Sequence, residues 1–143
     1  MIIDTTYLLP LIGVGIDVDL FRALIEGRTK RRVDLGDLAV NSITLFELRA
    51  LGAKRGISPS RVLRTLDVIM RNFRVIPFHE GAVVRYSCEL CKYLQDYVGC
   101  VVVATTATLG EDLATEDRAI HQLKETLKSV YGIDVYNYRE LVG

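Results

Sequence analysis

Five apolar runs of two to five residues punctuate the chain: Ile2-Ile3, Leu38-Ala39-Val40, Arg74–Phe78, Leu113-Ala114-Thr115 and Ile133–Tyr136. Every stretch between them carries helical rather than alternating periodicity. Runs this short and this apolar are strands buried on both faces, and strands separated by helices pair in parallel. The pattern therefore predicts a three-layer α/β/α sandwich around a central, mainly parallel sheet of about five strands, in a single domain over residues 1–143. No two runs meet across a tight turn, which excludes a meander of hairpins.

The helices announce themselves by caps and stripes. Thr5 or Thr6 caps the segment after Ile2-Ile3, and Val18–Glu26 is a short amphipathic helix. Thr44–Arg55 places Leu45, Leu48 and Leu51 on one stripe and stops at Gly56. Ser58-Pro59 opens a helix whose 3.6-residue period runs through Val62, Leu63, Leu66, Ile69, Met70 and Phe73. Glu80–Leu94, the very apolar Val98–Leu109 and the amphipathic Arg118–Tyr131 complete the set.

With 143 residues, half of them hydrophobic, the chain can bury a core without disulfide or metal staples. No cationic, apolar leader opens it, and its longest apolar stretches, of about ten residues, are too short to cross a bilayer. A soluble, cytoplasmic protein with no membrane partner is expected. Its three cysteines then read as reduced thiols. Cys88 and Cys91 form a lone C-x-x-C without the further ligands of a zinc site, and are expected to pack as apolar helix positions.

Three acids follow strands in three separate βα units: Asp4, Glu47 and Asp117. Each has a plain reading as a helix cap or first-turn acid. In a parallel sheet, however, the positions just after strands converge on one edge. Carboxylates gathered there repel one another and invite a hard divalent cation. The chemistry such an ion supports is attack of water on a phosphodiester.

Ile3-Asp4-Thr5-Thr6-Tyr7-Leu8-Leu9, Ser42-Ile43-Thr44-Leu45-Phe46-Glu47-Leu48, Ala104-Thr105 and Leu113-Ala114-Thr115-Glu116-Asp117 together resemble the ordered motifs of PIN-domain proteins. These are metal-dependent ribonucleases that include the VapC-type toxins of toxin–antitoxin pairs. The resemblance implies Mg²⁺ or Mn²⁺ as cofactor, RNA as substrate, a cognate antitoxin and a homodimer. It assigns Asp4, Glu47 and Asp117 as catalytic metal ligands, with Thr5, Ser42 and Thr115 in support. The family's third acid falls at Gly99, so that position is vacant. Asp96, about one helical turn earlier, has two readings: a displaced fourth ligand, or simply the N-cap of the helix beginning at Tyr97. A degenerate domain that binds RNA or a protein without cutting is the alternative that Gly99 leaves open.

The 18 basic and 18 acidic residues cancel, but they are not evenly spread. Between Leu20 and Ile76, twelve bases and five acids leave +7, and the flanks carry −7. Arg49, Arg55, Arg61 and Arg64, together with the basic loop at residues 28–32, are candidates to guide an RNA backbone toward the acids. The same arginines also suit a solvated helix face or an acidic antitoxin segment. Tyr7, Tyr86, Tyr93, Tyr97 and Tyr131 are expected in the core or at an interface rather than as stacking platforms for bases.

Overall fold

A computed structural model describes residues 1–143. Strands β1 (Ile2–Ile3), β2 (Ala39–Asn41), β3 (Arg74–Ile76), β4 (Leu113–Ala114) and β5 (Val135–Tyr136) form one sheet. Their order is β3-β2-β1-β4-β5, and every neighbouring pair is parallel. Helices α1 (Leu20–Ile25), α2 (Ser42–Lys54), α3 (Pro59–Asn72), α4 (Gly81–Leu90), α5 (Tyr97–Leu109), α6 (Arg118–Gln122), α7 (Lys124–Tyr131) and α8 (Tyr138–Leu141) surround it, with a 3-10 helix over Thr5–Ile12. This is the predicted α/β/α arrangement.

Two residues suffice for β1 because successive side chains enter opposite layers. Ile3, with Val40 and Ala114, faces the 3-10 helix and helices α1 to α3. Ile2, with Ala39, Leu113 and Val135, faces α4 to α7. Both isoleucines are fully buried, and each contributes about 1.5–3 kcal/mol by its removal from water.

From β1 the chain winds outward through β2 to β3, returns by way of α4 and α5, and winds outward again from β4 to β5. The direction of winding therefore reverses between β1 and β4. The carboxyl ends of strands that flank such a reversal leave a crevice between their loops. A buried hydrogen bond positions α5 above that edge: Asn41 Nδ2 donates to Thr105 Oγ1 at 2.7 Å, while Asn41 Oδ1 accepts from Ile43 N at 2.9 Å and caps α2. No helix is long and apolar enough to cross a membrane.

The amino ends of the strands are closed by ion pairs. The Met1 ammonium lies 2.5 Å from Glu111, Arg74 grips the same carboxylate at 2.6 and 2.8 Å, and Arg31 meets Asp112 at 3.1 Å. Arg74 and the chain terminus hold the Glu111 carboxyl down at about 2. Its contribution to stability is present above the ordinary carboxylate range and is lost as pH falls toward 2. Glu111→Gln is expected to cost about 1 kcal/mol at pH 7, after allowance for solvent screening, and nothing near pH 2. Urea unfolding at the two pH values measures the difference.

Several local expectations are corrected. Arg118–Tyr131 is two helices, broken at Leu123 (φ −95°, ψ 4°). Ile120 and Leu127 on either side of the break share one core, so the periodicity carries through it. Helix α4 ends at Leu90, and its buried stripe is Val83, Ser87 and Leu90. Cys88 and Cys91 each follow a stripe residue, and about 100° of rotation carries them out of the core to the surface; only Cys100 is buried. Leu63 and Met70 on α3 are likewise exposed, because Val62, Thr65 and Ile69 form its inner face.

Candidate functional site

Each of the four acids singled out in the sequence begins or joins a helix at the carboxyl edge of the sheet. Asp4 leaves β1 as the N-cap of the 3-10 helix: its Oδ1 accepts from Thr5 N at 2.7 Å and its Oδ2 from Thr115 Oγ1 at 2.7 Å. Asp117 follows β4 and caps α6, with Oδ1 accepting from Ala119 N at 2.7 Å. Glu47 projects from α2, and its Oε2 accepts from the Thr5 hydroxyl. Asp96 caps α5, its Oδ1 accepting from Val98 N at 3.3 Å and its Oδ2 from Gly99 N at 3.1 Å.

The structure brings all four to the wall of one cleft of about 270 Å³, with Thr5 and Gly99 beside them. They share an electrostatic environment. Burial raises the Asp4 carboxyl above the usual range, the hydrogen bonds from Thr115 and Thr5 oppose the rise, and the charges of Asp117 and Asp96 add to it. Burial likewise raises Glu47, Thr5 opposes, and the charges of Asp4 and Asp96 add. Asp96 is therefore near enough to act on both, although it lies one turn from the position occupied by Gly99.

The glycine explains how. A Cβ built on Gly99 would stand 3.2 Å from Asp96 Oδ2, with no closer neighbour. The Asp96 carboxylate thus borders the space that a side chain at 99 would enter. Asp117 Oδ2 and Glu47 Oε1 accept no hydrogen bond, whereas both oxygens of Asp96 are engaged by its own helix. An all-oxygen donor set of this charge fits Mg²⁺ or Mn²⁺ in chemical type. No three acidic, histidine or cysteine side chains converge tightly enough to enclose an ion unaided.

Thr115 is the hub of the cleft: its hydroxyl donates to Asp4 and accepts from Asp117 N at 3.1 Å, linking the ends of β1 and β4. Ser42 stands apart from it, its Oγ accepting from Phe78 N at 2.9 Å. Glu116, adjacent to Asp117 in the sequence, also lines the cleft. Its Oε1 receives the Tyr7 hydroxyl at 2.5 Å and Tyr138 N at 2.7 Å. A tyrosine followed by Leu8 and Leu9 reads as core and gives no hint of that bond.

The arginines are distributed elsewhere. In the loop at 28–32, Arg28 pairs with Glu26, Arg31 with Asp112 at the amino end of β4, and Arg32 with Asp34. None of its residues lines the acid cleft. Arg49 lines a groove between α2 and α3 with Ile57, Val62, Leu63 and Leu66. Arg61 covers Gly13, whose φ of +88° ends the 3-10 helix; a Cβ there would meet the guanidinium at 2.3 Å. Arg61 and Arg64 share a recess with Leu11 and Thr65, and Arg55 caps the end of α2. None of these four arginines forms an ion pair or lines the acid cleft. Tyr97 is 62% exposed and so is not a core residue.

No curated protein matches the chain. Among solved structures it is similar to FitAcB from Neisseria gonorrhoeae, with a TM-score of 0.66, 18% identity, and coverage of 98% of this chain and 99% of that one. VapBC2 from Rickettsia felis, bound to a DNA fragment from its promoter, gives a TM-score of 0.62 and 18% identity over 95% and 96% of the two chains. A toxin–antitoxin complex from Klebsiella pneumoniae gives 0.61 and 17% over 92% and 93%. The PIN domain family matches residues 1–125. With that match spanning most of the chain, and with the acids at the carboxyl edge of a five-stranded parallel sheet, the protein belongs to the PIN-domain family.

Proposed function

We propose that this chain is a Mg²⁺- or Mn²⁺-dependent endoribonuclease and the toxin of a VapBC-type toxin–antitoxin pair. The observation that carries the reading is the convergence of Asp4, Glu47, Asp96 and Asp117 on one cleft at the reversal of the sheet. A divalent ion, when bound, supplies an activated water and neutralises charge at the phosphorus. Asp4, Glu47 and Asp117 would hold it, and Asp96 adds negative charge from the turn beneath Gly99. Thr115 and Thr5 orient Asp4 and Glu47 by the hydrogen bonds described above, which spares these carboxylates a search among rotamers. No side chain of the cleft is a nucleophile.

The solved neighbours named as toxin–antitoxin complexes support an antitoxin as partner. The exposed Leu63 and Met70 of α3 support an apolar partner surface, whether antitoxin or a second copy in a homodimer. Arg49, Arg55, Arg61 and Arg64 carry unpaired charge on that side of the molecule, suited to an acidic partner or to RNA approaching from outside the cleft.

Cleavage of a fluorogenic RNA with and without Mn²⁺ tests the reading. Wild type is expected to cut only with the ion, and Asp117→Asn to lose at least ~100-fold in rate. Equal rates for the two proteins would defeat it. The full engagement of Asp96 by its own helix favours a second reading, in which the domain binds RNA or a protein without cutting. Calorimetry separates the two: Mn²⁺ binding that disappears in Asp4→Ala counts against a metal-free binding module.

A further inference from the structure

We propose that a second, wholly polar cleft beside the acids seats the phosphate of a nucleotide flanking the scissile bond of single-stranded RNA. The inference rests on the ribonuclease reading and extends it to the path of the strand. This second cleft measures about 460 Å³ and is lined by Glu116, Arg118, His121, Gln122 and Asn137, with no apolar side chain. Glu116 lines both clefts, so the two are contiguous.

Glu116 is the wall between them, and it is held in place. The Tyr7 hydroxyl and Tyr138 N both donate to its Oε1, which draws the carboxylate toward the protein. Tyr7 is completely buried. Beyond this wall the cleft presents donors. Arg118 is in no ion pair and no side-chain hydrogen bond of the chain. Asn137 Oδ1 accepts from Glu140 N at 3.0 Å as the cap of α8, which leaves both Nδ2 hydrogens for a ligand. The ring of His121 is fixed with Nε2 2.8 Å from the Thr115 carbonyl oxygen, so this nitrogen donates. Thr115 thereby joins the clefts, its carbonyl holding His121 and its hydroxyl holding Asp4.

Arg118 carries a full positive charge there with no partner in the chain. A guanidinium fork with amide donors beside it matches a phosphate. RNA carries a phosphate at every nucleotide, so a strand with one phosphodiester at the acids must lay its next over an adjoining surface. The adjoining polar surface is this one, whereas the arginines of α2 and α3 line other recesses.

The test titrates a short fluorescein-labelled single-stranded RNA with the full chain in Ca²⁺ buffer at several salt concentrations, read by anisotropy. Arg118→Ala is expected to raise Kd about tenfold and to lower the slope of log Kd against log salt by about one. Asn137→Asp keeps an acceptor for Glu140 N, so α8 stays capped, but it replaces the amide donor by a negative charge and should raise Kd at least as much. Arg85→Ala on α4 removes the same charge away from both clefts and should leave Kd within about twofold. If either cleft variant behaves like Arg85→Ala, the phosphate seat is overturned while the ribonuclease reading stands on its Mn²⁺ assay. A wild type that neither binds nor cuts RNA overturns both.

Discussion

Asp4→Asn is expected to abolish metal-dependent cleavage and, in the same protein, to raise the melting temperature of the metal-free chain. The two effects have one cause. Burial and the charges of Asp117 and Asp96 raise the Asp4 carboxyl above its ordinary value. A carboxyl with a raised folded pKa takes up its proton more readily in the native state than in the unfolded one. Its favourable contribution is present at acid pH and is lost as pH rises through the raised value. At pH 7 wild type therefore carries an unfavourable charge that the amide lacks. Asn keeps the acceptor for Thr5 N, and the Thr115 hydroxyl can reverse its role to face Nδ2. A gain of about 1 kcal/mol, or roughly 4 °C, is expected at pH 7, shrinking as the pH is lowered. Differential scanning calorimetry across pH measures it. A variant less stable than wild type at neutral pH would show that the Thr115 and Thr5 hydrogen bonds outweigh the repulsion. The rate should fall by at least ~100-fold, because the oxygens that would receive the ion lose their charge.

Gly99→Asp is expected to act in the opposite direction on metal binding. The new Cβ would lie 3.2 Å from Asp96 Oδ2, so a second carboxylate would crowd the cap of α5 and push the first aside. Like charges at about 4 Å in a partly screened site oppose each other by several kcal/mol before relaxation, and loss of the cap adds about 1 kcal/mol. The metal-free variant should melt lower by roughly 5–10 °C. With Mn²⁺ present the added oxygen ligand should recover that loss and raise affinity at least tenfold over wild type. Thermal shift with and without Mn²⁺ reads both effects. Gly99→Ala is the control: it approaches Asp96 without adding a ligand, so Mn²⁺ should raise its melting point by no more than it raises that of wild type. If Gly99→Asp and Gly99→Ala respond alike to Mn²⁺, position 99 does not face the ion.

Much of the fold was legible because its determinants are local. A strand buried on both faces needs only a few apolar residues, and helices declare themselves through caps such as Ser58 and through stripes such as Leu45, Leu48 and Leu51. Asp4, Glu47 and Asp117 were legible as a group for a topological reason, since parallel strands send all their carboxyl ends to one edge. What misled were readings that depend on rotation or on distant partners. One residue of offset on α4 turned Cys88 and Cys91 outward. The break at Leu123 left the hydrophobic period intact and so left no trace.

The sequence by itself determined the order of strands and helices, the three-layer architecture and the edge on which the acids gather, because periodicity, capping and parallel pairing are short-range rules. Only the tertiary structure decided which charges meet. Segment sums put +7 in the middle of the chain, yet Arg31 and Arg74 spend theirs on Asp112 and Glu111 at the far edge of the sheet. It also decided that Asp96 lines the cleft of the other acids beside Gly99, and that Glu116 is drawn inward by a buried tyrosine more than a hundred positions away. Coulomb interactions and hydrogen bonds depend on distance in space, and between residues on different strands the spacing along the chain carries almost no information about that distance.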